Sequence, residues 1–150
     1  MEIEKIRKIL KKDPDDAVTE LLGDVKERYG EIPYILNFMK DMPELLIPKI
    51  LYDDSIMREF KRMDSRTVEL ISIGVSSALR CDHCLKMHIR VASHMGITKD
   101  EIFDAILIGG TLSNASVLAG GTRALDSELS CVGDIGEMCD ACDLSIDKDD

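Results

Sequence analysis

Five side chains capable of redox or acid–base chemistry fall within one short stretch of the chain. Cys81 and Cys84 form a Cys-x-x-Cys pair, His83 lies between them, His88 follows, and Glu69 precedes the group. Residues three or four apart share a helix face, so the two thiols could form a disulfide, with His88 next to Cys84. A nearby imidazole or a helix N-terminus lowers the pKa of a thiol and favours the nucleophilic thiolate. The pattern predicts thiol redox chemistry, and a zinc or iron site on the same cysteines and histidines is the alternative.

Glu69 can reach these side chains only if the chain turns back on itself. On one straight helix over residues 65–95, Glu69 would lie about 18 Å from Cys81 along the axis. We therefore predict a break between residues 79 and 83, with both cysteines in the first turn of a second helix. Free N–H groups and the helix dipole stabilise a thiolate there. The apolar residues after Glu69 also predict its partial burial and a raised pKa.

The elements around this stretch are predicted to be helices throughout, which makes the fold class all-α. Apolar residues recur at helical spacing as far as residue 125, and no segment of useful length alternates with the period of a strand. A capping box at Thr98–Glu101 begins a long helix that we expect to end near residue 124. Its many small residues, from Gly109 to Gly121, predict close packing against another helix or a subunit interface.

Length and charge restrict the remaining possibilities. The chain has 150 residues, a net charge of −10 and a pI of about 4.7. This length suits one helical domain over residues 1–125. The acidic balance disfavours a nucleic-acid partner, and we find neither a signal-peptide pattern nor an apolar run near the ~20 residues of a membrane span. We expect a cytoplasmic protein without a membrane partner.

The last 25 residues differ from the rest of the chain. Residues 126–150 hold nine acidic residues, one lysine and the cysteines Cys131, Cys139 and Cys142. We expect an acidic, partly disordered tail. Its three cysteines supply one soft ligand fewer than a tetrahedral metal set, so three interpretations stay open: free thiols, a metal or iron–sulfur site, or a redox pair that passes electrons to Cys81 and Cys84.

The spacing Glu-x11-Cys-x-His-Cys-x3-His resembles the signature of the alkylhydroperoxidase D (AhpD-like) branch of the carboxymuconolactone decarboxylase family. The similarity extends to the flanking segments and covers about residues 30–125. The flanking segments are 42–46 (MPELL), 66–71 (RTVELI) and 96–102 (GITKDEI).

The resemblance implies an AhpD-like helical bundle that assembles as a homo-oligomer, either a dimer, a trimer or a hexamer. It also implies peroxiredoxin-type reduction of peroxides. Cys84 would attack the peroxide and become a sulfenic acid, and Cys81 would resolve it to a disulfide. Glu69, acting through His88 and a water, would remove the thiol proton, and His83 would tune or orient the site. An external thiol would reduce the disulfide, and no bound organic cofactor is required.

Three other functions remain open. The same dithiol could reduce disulfides instead of peroxides. The chain could be a metal-binding or redox-sensing scaffold protein. The lactone decarboxylation after which the family is named is less favoured, because that branch is not known for a Cys-x-x-Cys pair.

Overall fold

The structure, a computed structural model, describes residues 3–59 and 62–133, apart from the side chains of residues 59 and 131–133. Over these residues the chain forms α-helices, one π-helical turn and no strand, which confirms the all-α fold class. The elements in chain order are α1 (Ile3–Leu10), α2 (Pro14–Tyr29), α3 (Tyr34–Phe38), α4 (Pro43–Asp54), the π-helical turn (Ser55–Glu59), α5 (Ser65–Ala78), α6 (Asp82–His94) and α7 (Lys99–Gly133).

The described residues divide into two compact units, with the boundary between residues 110 and 111. The first unit contains two clusters of buried apolar side chains, as the helical spacing predicts. The cluster of α1 to α4 consists of Ile9, Ala17, Val18, Leu21, Val25, Leu36, Leu46 and Ile50. The cluster around α5 and α6 consists of Ile73, Ala92, Ile97, Ile102 and Ala105.

Glycine permits a close helix crossing in the first unit. An added Cβ on Gly109 of α7 would lie 2.3 Å from the backbone oxygen of Gly74 on α5. The close packing predicted for the small residues therefore holds at this position. It does not extend along the helix, because a Cβ on Gly110, Gly120 or Gly121 would meet no atom within 4 Å.

Helix α7 is longer than the sequence predicts and reaches Gly133, beyond the expected end near residue 124. The tail beyond Gly133, with Cys139 and Cys142, lies outside the described residues, as does the side chain of Cys131.

Residues 99–130 of α7 are long and apolar enough to cross a membrane, by length and composition alone. Counting unbroken apolar runs missed this stretch, because glycine, serine and threonine interrupt the larger side chains without adding charge. Only 17% of this apolar window is buried within the chain, whereas a core helix of a soluble protein is mostly buried, and the lack of a membrane partner stays a prediction.

Candidate active site

The predicted break between the two helices of the site is present. Helix α5 ends at Ala78 and α6 begins at Asp82. The Cys81 N–H donates to the Ser76 carbonyl at 2.9 Å, and Arg80 between the helices has a φ of 55°. This is the hydrogen bond of a Schellman-type helix end, in which glycine usually occupies the left-handed position. Arginine there carries a backbone cost that glycine avoids.

The two cysteines lie at the N-terminus of α6, as predicted. Cys81 is the N-cap residue, and its sulfur accepts the backbone N–H of Cys84 at 3.4 Å. The two sulfurs are joined in a disulfide with a Cα–Cα distance of 5.3 Å. Both residues are partly exposed, so a reactant can approach them from solvent.

Glu69 and His88 meet inside the protein. The helix break brings α5 against α6, and His88 Nδ1 lies 2.8 Å from Glu69 Oε2. Glu69 is fully buried, and His88 is 7% exposed. When Nδ1 carries the proton it donates to the carboxylate, and the other ring nitrogen, Nε2, keeps a lone pair. That arrangement equips His88 to accept a proton.

Arg58 is the second partner of the Glu69 carboxylate. It lies in the π-helical turn, and its Nη1 donates to Glu69 Oε1 at 2.7 Å. Its Nη2 donates to the hydroxyl of Tyr29 at 2.9 Å, and its guanidinium carbon lies 5.2 Å from the centroid of that ring. Single π-helical turns often occur at functional sites. Each carboxylate oxygen of Glu69 thus has its own partner: Arg58 of the π-helical turn at Oε1 and His88 of α6 at Oε2.

The two partners of Glu69, His88 and Arg58, reverse the predicted direction of its pKa shift. Burial alone would raise the pKa of the carboxyl group. The hydrogen bond from His88 and the charge of Arg58 outweigh burial, and the pKa of Glu69 lies below its ordinary value. The prediction of a raised pKa was wrong because it considered burial without a cationic partner.

His83 is directed away from this cluster. Its side chain is half-exposed, and its Nδ1 lies 4.0 Å from Glu31 Oε1. Glu31 also forms an ion pair with Arg90, which lies about two turns further along α6. The structure therefore brings Glu69 and His88 together, and it leaves His83 on the surface beside a carboxylate. Cys84 lies one turn before His88 on α6, and Cys81 lies two turns before it.

Sequence reasoning missed Arg58 and Tyr29. Arg58 precedes Glu69 by eleven residues and lies on another element, so no helical spacing rule connects them. In the sequence, Arg58 is one positive charge in an amphipathic segment. Surface helices commonly carry such charges, so this feature does not identify a site residue.

The metal interpretation has no support among the described side chains of residues 3–58 and 62–130. No group of three or more histidine, cysteine, aspartate or glutamate side chains in this part of the chain could hold a metal ion. The proposed ligands Cys131, Cys139 and Cys142 have side chains outside the described part, so a metal on the tail stays a prediction.

Parts of this chain are similar in sequence to three known proteins. Uncharacterized protein 4 in cox locus of Paracoccus denitrificans is 26% identical over 81 residues, which are 54% of this chain and 68% of that protein. Alkyl hydroperoxide reductase AhpD of Corynebacterium aurimucosum is 36% identical over 50 residues, 33% of this chain and 28% of the reductase. The enzyme of the same name from Corynebacterium kroppenstedtii is 30% identical over 54 residues, 36% of this chain and 31% of the reductase. The chain thus spans less than a third of either reductase.

No solved structure matches the chain. Residues 51–126, half of the sequence, match the profile of the Carboxymuconolactone decarboxylase family. This segment includes the π-helical turn, both site helices and the first part of α7. The chain belongs to the carboxymuconolactone decarboxylase family.

Proposed function

We propose that this protein is a thiol-dependent oxidoreductase that reduces peroxides through Cys81 and Cys84. The observation that carries the proposal is the Cys81–Cys84 disulfide at the N-terminus of α6, in which Cys84 lies one turn before a histidine hydrogen-bonded to a buried glutamate. The similarity to two alkyl hydroperoxide reductases supports it.

The proposed cycle begins from the dithiol. His88, oriented by Glu69, takes the proton of the Cys84 thiol. The Cys84 thiolate attacks the terminal peroxide oxygen, the O–O bond breaks, and the leaving alkoxide takes the proton and departs as an alcohol. Cys84 is then a sulfenic acid, oxidised by two electrons.

The second half of the cycle forms and breaks the disulfide. Cys81 attacks the Cys84 sulfur, an S–S bond forms, and the hydroxyl leaves with the Cys81 proton as water. An external dithiol returns two electrons and two protons by thiol–disulfide exchange and becomes a disulfide itself. No bound organic cofactor takes part, since the thiols carry both electrons.

Peroxide consumption tests this proposal. The wild-type protein with dithiothreitol should consume cumene hydroperoxide, and Cys84→Ser should reduce the rate at least about a hundredfold. The matched control replaces the three tail cysteines, Cys131, Cys139 and Cys142, by serine and should keep most of the activity. Wild-type consumption no faster than dithiothreitol alone would contradict the proposal.

Three further measurements distinguish the alternatives. A disulfide reductase would turn over a model disulfide faster than a peroxide, with the same dependence on Cys84. A lactone decarboxylase would not need the cysteine pair and would keep its activity in Cys84→Ser. A metal-binding scaffold would bind stoichiometric metal that protects Cys81 and Cys84 from alkylation.

We further propose that the protein is a homo-oligomer located in the cytoplasm. The second unit exposes a series of large apolar side chains on α7, which a second copy of the chain would cover. They are Leu112, Val117, Leu118, Leu125 and Leu129, each between 56% and 67% exposed. Apolar surface of this kind marks interaction sites.

A further inference from the structure

Resting on the proposed function, we infer that Arg58 is a positioning residue of the site. By donating to Glu69 Oε1 it fixes the carboxylate as an acceptor and holds His88 in the tautomer protonated at Nδ1. Nε2 of His88 is then able to take the thiol proton. Arg58 would thus act through two other side chains and not on the substrate.

The geometry gives each carboxylate oxygen one donor. Oε1 faces Arg58 Nη1 at 2.7 Å, and Oε2 faces His88 Nδ1 at 2.8 Å. A guanidinium has donors only and does not lose its proton in proteins. Oε1 therefore has to accept a hydrogen bond from Arg58. An ionised carboxylate can accept from both Arg58 Nη1 and His88 Nδ1.

The alternative state shows why the tautomer matters. A protonated Glu69 would donate its O–H to His88 Nδ1, which would then be the acceptor. The ring proton would move to Nε2, and Nε2 would donate where the reaction needs a base. Glu69 is fully buried, and burial favours this neutral form unless a cation opposes it. Arg58 supplies that cation.

The surrounding groups hold Arg58 in place. Tyr29 from α2 accepts from Nη2 and lies against the guanidinium. Arg28, the neighbour of Tyr29, contacts the same ring from 5.9 Å and is paired with Asp54. The charged and titratable groups of this network therefore come from α2, α4, the π-helical turn and α6.

The Nε donor of Arg58 takes no part in the contact with Glu69. Its Nε is buried and has no hydrogen-bond partner among the described residues. An unpaired buried donor costs free energy. The position of Arg58 is therefore set by its two other nitrogens, which donate to Glu69 Oε1 and to the Tyr29 hydroxyl.

The tautomer can be measured without any enzymatic activity. Long-range ¹H–¹⁵N spectra distinguish histidine protonated at Nδ1 from histidine protonated at Nε2. In the disulfide form of the wild-type protein, we expect His88 to be protonated at Nδ1 at pH 7. In Arg58→Met we expect the Nε2 proton at pH 7 and a return to Nδ1 as the pH is raised and Glu69 ionises.

Two variants provide the controls. Arg58→Lys keeps the charge and should keep the Nδ1 tautomer. Arg28→Met removes a neighbouring arginine that contacts Tyr29 but not Glu69, and should also keep it. In the reduced proteins, peroxide consumption at pH 7 should fall at least about tenfold in Arg58→Met and recover in Arg58→Lys or at higher pH.

Two results would overturn the inference. One is an Nε2 proton on His88 in the wild type at pH 7, which needs no variant and so does not depend on Arg58→Met folding. The other is an unchanged tautomer in folded Arg58→Met across the pH range. If the tautomers behave as expected and no peroxide is consumed, the proposed function fails and the role of Arg58 stands.

Discussion

Gly109 and Gly74 bring the backbones of two helices into contact. A Cβ at Gly109 would lie 2.3 Å from the carbonyl oxygen of Gly74 and 3.1 Å from its Cα. Backbone cannot retreat from such an overlap as a flexible side chain can. Because α5 carries Glu69 and α7 carries Gly109, this crossing fixes the helix from which the site carboxylate projects.

Gly109→Ala should therefore destabilise the protein. We expect a loss of about 1–3 kcal/mol in the free energy of unfolding, the usual cost of overpacking. Gly110→Ala is the matched control, because a Cβ there meets no atom within 4 Å. Alanine should stabilise that helical position by up to about 1 kcal/mol. Urea unfolding of both variants gives the comparison, and equal stabilities would contradict the close crossing.

Glu69→Gln should impair both stability and activity. The amide keeps the size of the side chain but removes the charge opposite buried Arg58, and breaking a buried pair costs about 3 kcal/mol. Without the carboxylate, His88 loses its fixed orientation, and peroxide consumption should fall about a hundredfold. Rates are compared between folded samples at equal concentration. The control is Glu44→Gln on the exposed first turn of α4, and a Glu69→Gln rate equal to that control would refute the relay.

The position of the helix break could be predicted from the sequence, but the residue that adopts the left-handed backbone there could not. The need to bring Glu69 near the cysteines required a turn between residues 79 and 83, and the turn is there. The usual marker of such a helix end is glycine, and the left-handed residue is Arg80 instead. Spacing could predict where the chain turns, whereas the strained residue is visible only in the backbone.

The charge state of Glu69 shows the limit of a local analysis. Its burial could be predicted from the apolar residues beside it. Burial would raise its pKa, but the hydrogen bond from His88 on α6 and the charge of Arg58 in the π-helical turn lower it. Helical periodicity relates residues within one helix only, so tertiary partners such as Arg58 and Tyr29 stay hidden until the fold is known.

Glu101 makes the start of α7 sensitive to acid. Its carboxylate accepts from the Thr98 N–H and hydroxyl at 3.0 and 2.8 Å, the predicted capping box, and it also pairs with Arg66. The hydrogen bond from Arg66 and those from Thr98 lower the pKa of Glu101 from 4.5 to about 2. A lowered folded-state pKa contributes stability above the unfolded-state value, and this is lost as the pH falls towards the folded-state value.

Glu101→Gln should therefore lower the melting temperature at pH 7, and the difference from wild type should shrink between about pH 5 and pH 2. Scanning calorimetry of both proteins across this range measures the difference directly. Other carboxylates titrate equally in both proteins, so their contribution cancels. A difference that stays constant or grows on acidification would contradict the role of the ionised carboxylate.

The exposed apolar side chains of α7 predict self-association. Leu118→Asp places a charge on a residue that is 59% exposed in the single chain, and we expect it to weaken assembly because a charge would be desolvated at the interface. Light scattering at micromolar concentration should give an oligomer for wild type and a smaller species for the variant. Leu10→Asp on α1, at 65% exposure, is the control and should leave the assembly intact. A wild-type monomer, or a protein that needs detergent, would contradict the assembly proposal.

The order in which the two site thiols react is the final prediction. His88 lies four residues after Cys84 and seven after Cys81, about 6 Å and about 10 Å along the helix axis. The imidazole should therefore deprotonate Cys84 first. The structure also provides a rival influence, because the Cys81 sulfur accepts the Cys84 N–H and such a contact favours a thiolate at Cys81. Substoichiometric alkylation of the reduced protein at pH 7, in a background without the tail cysteines, decides between them. Peptide mapping should find the label on Cys84, and His88→Ala should reduce it, whereas preferential label on Cys81 would reverse the roles of the two cysteines.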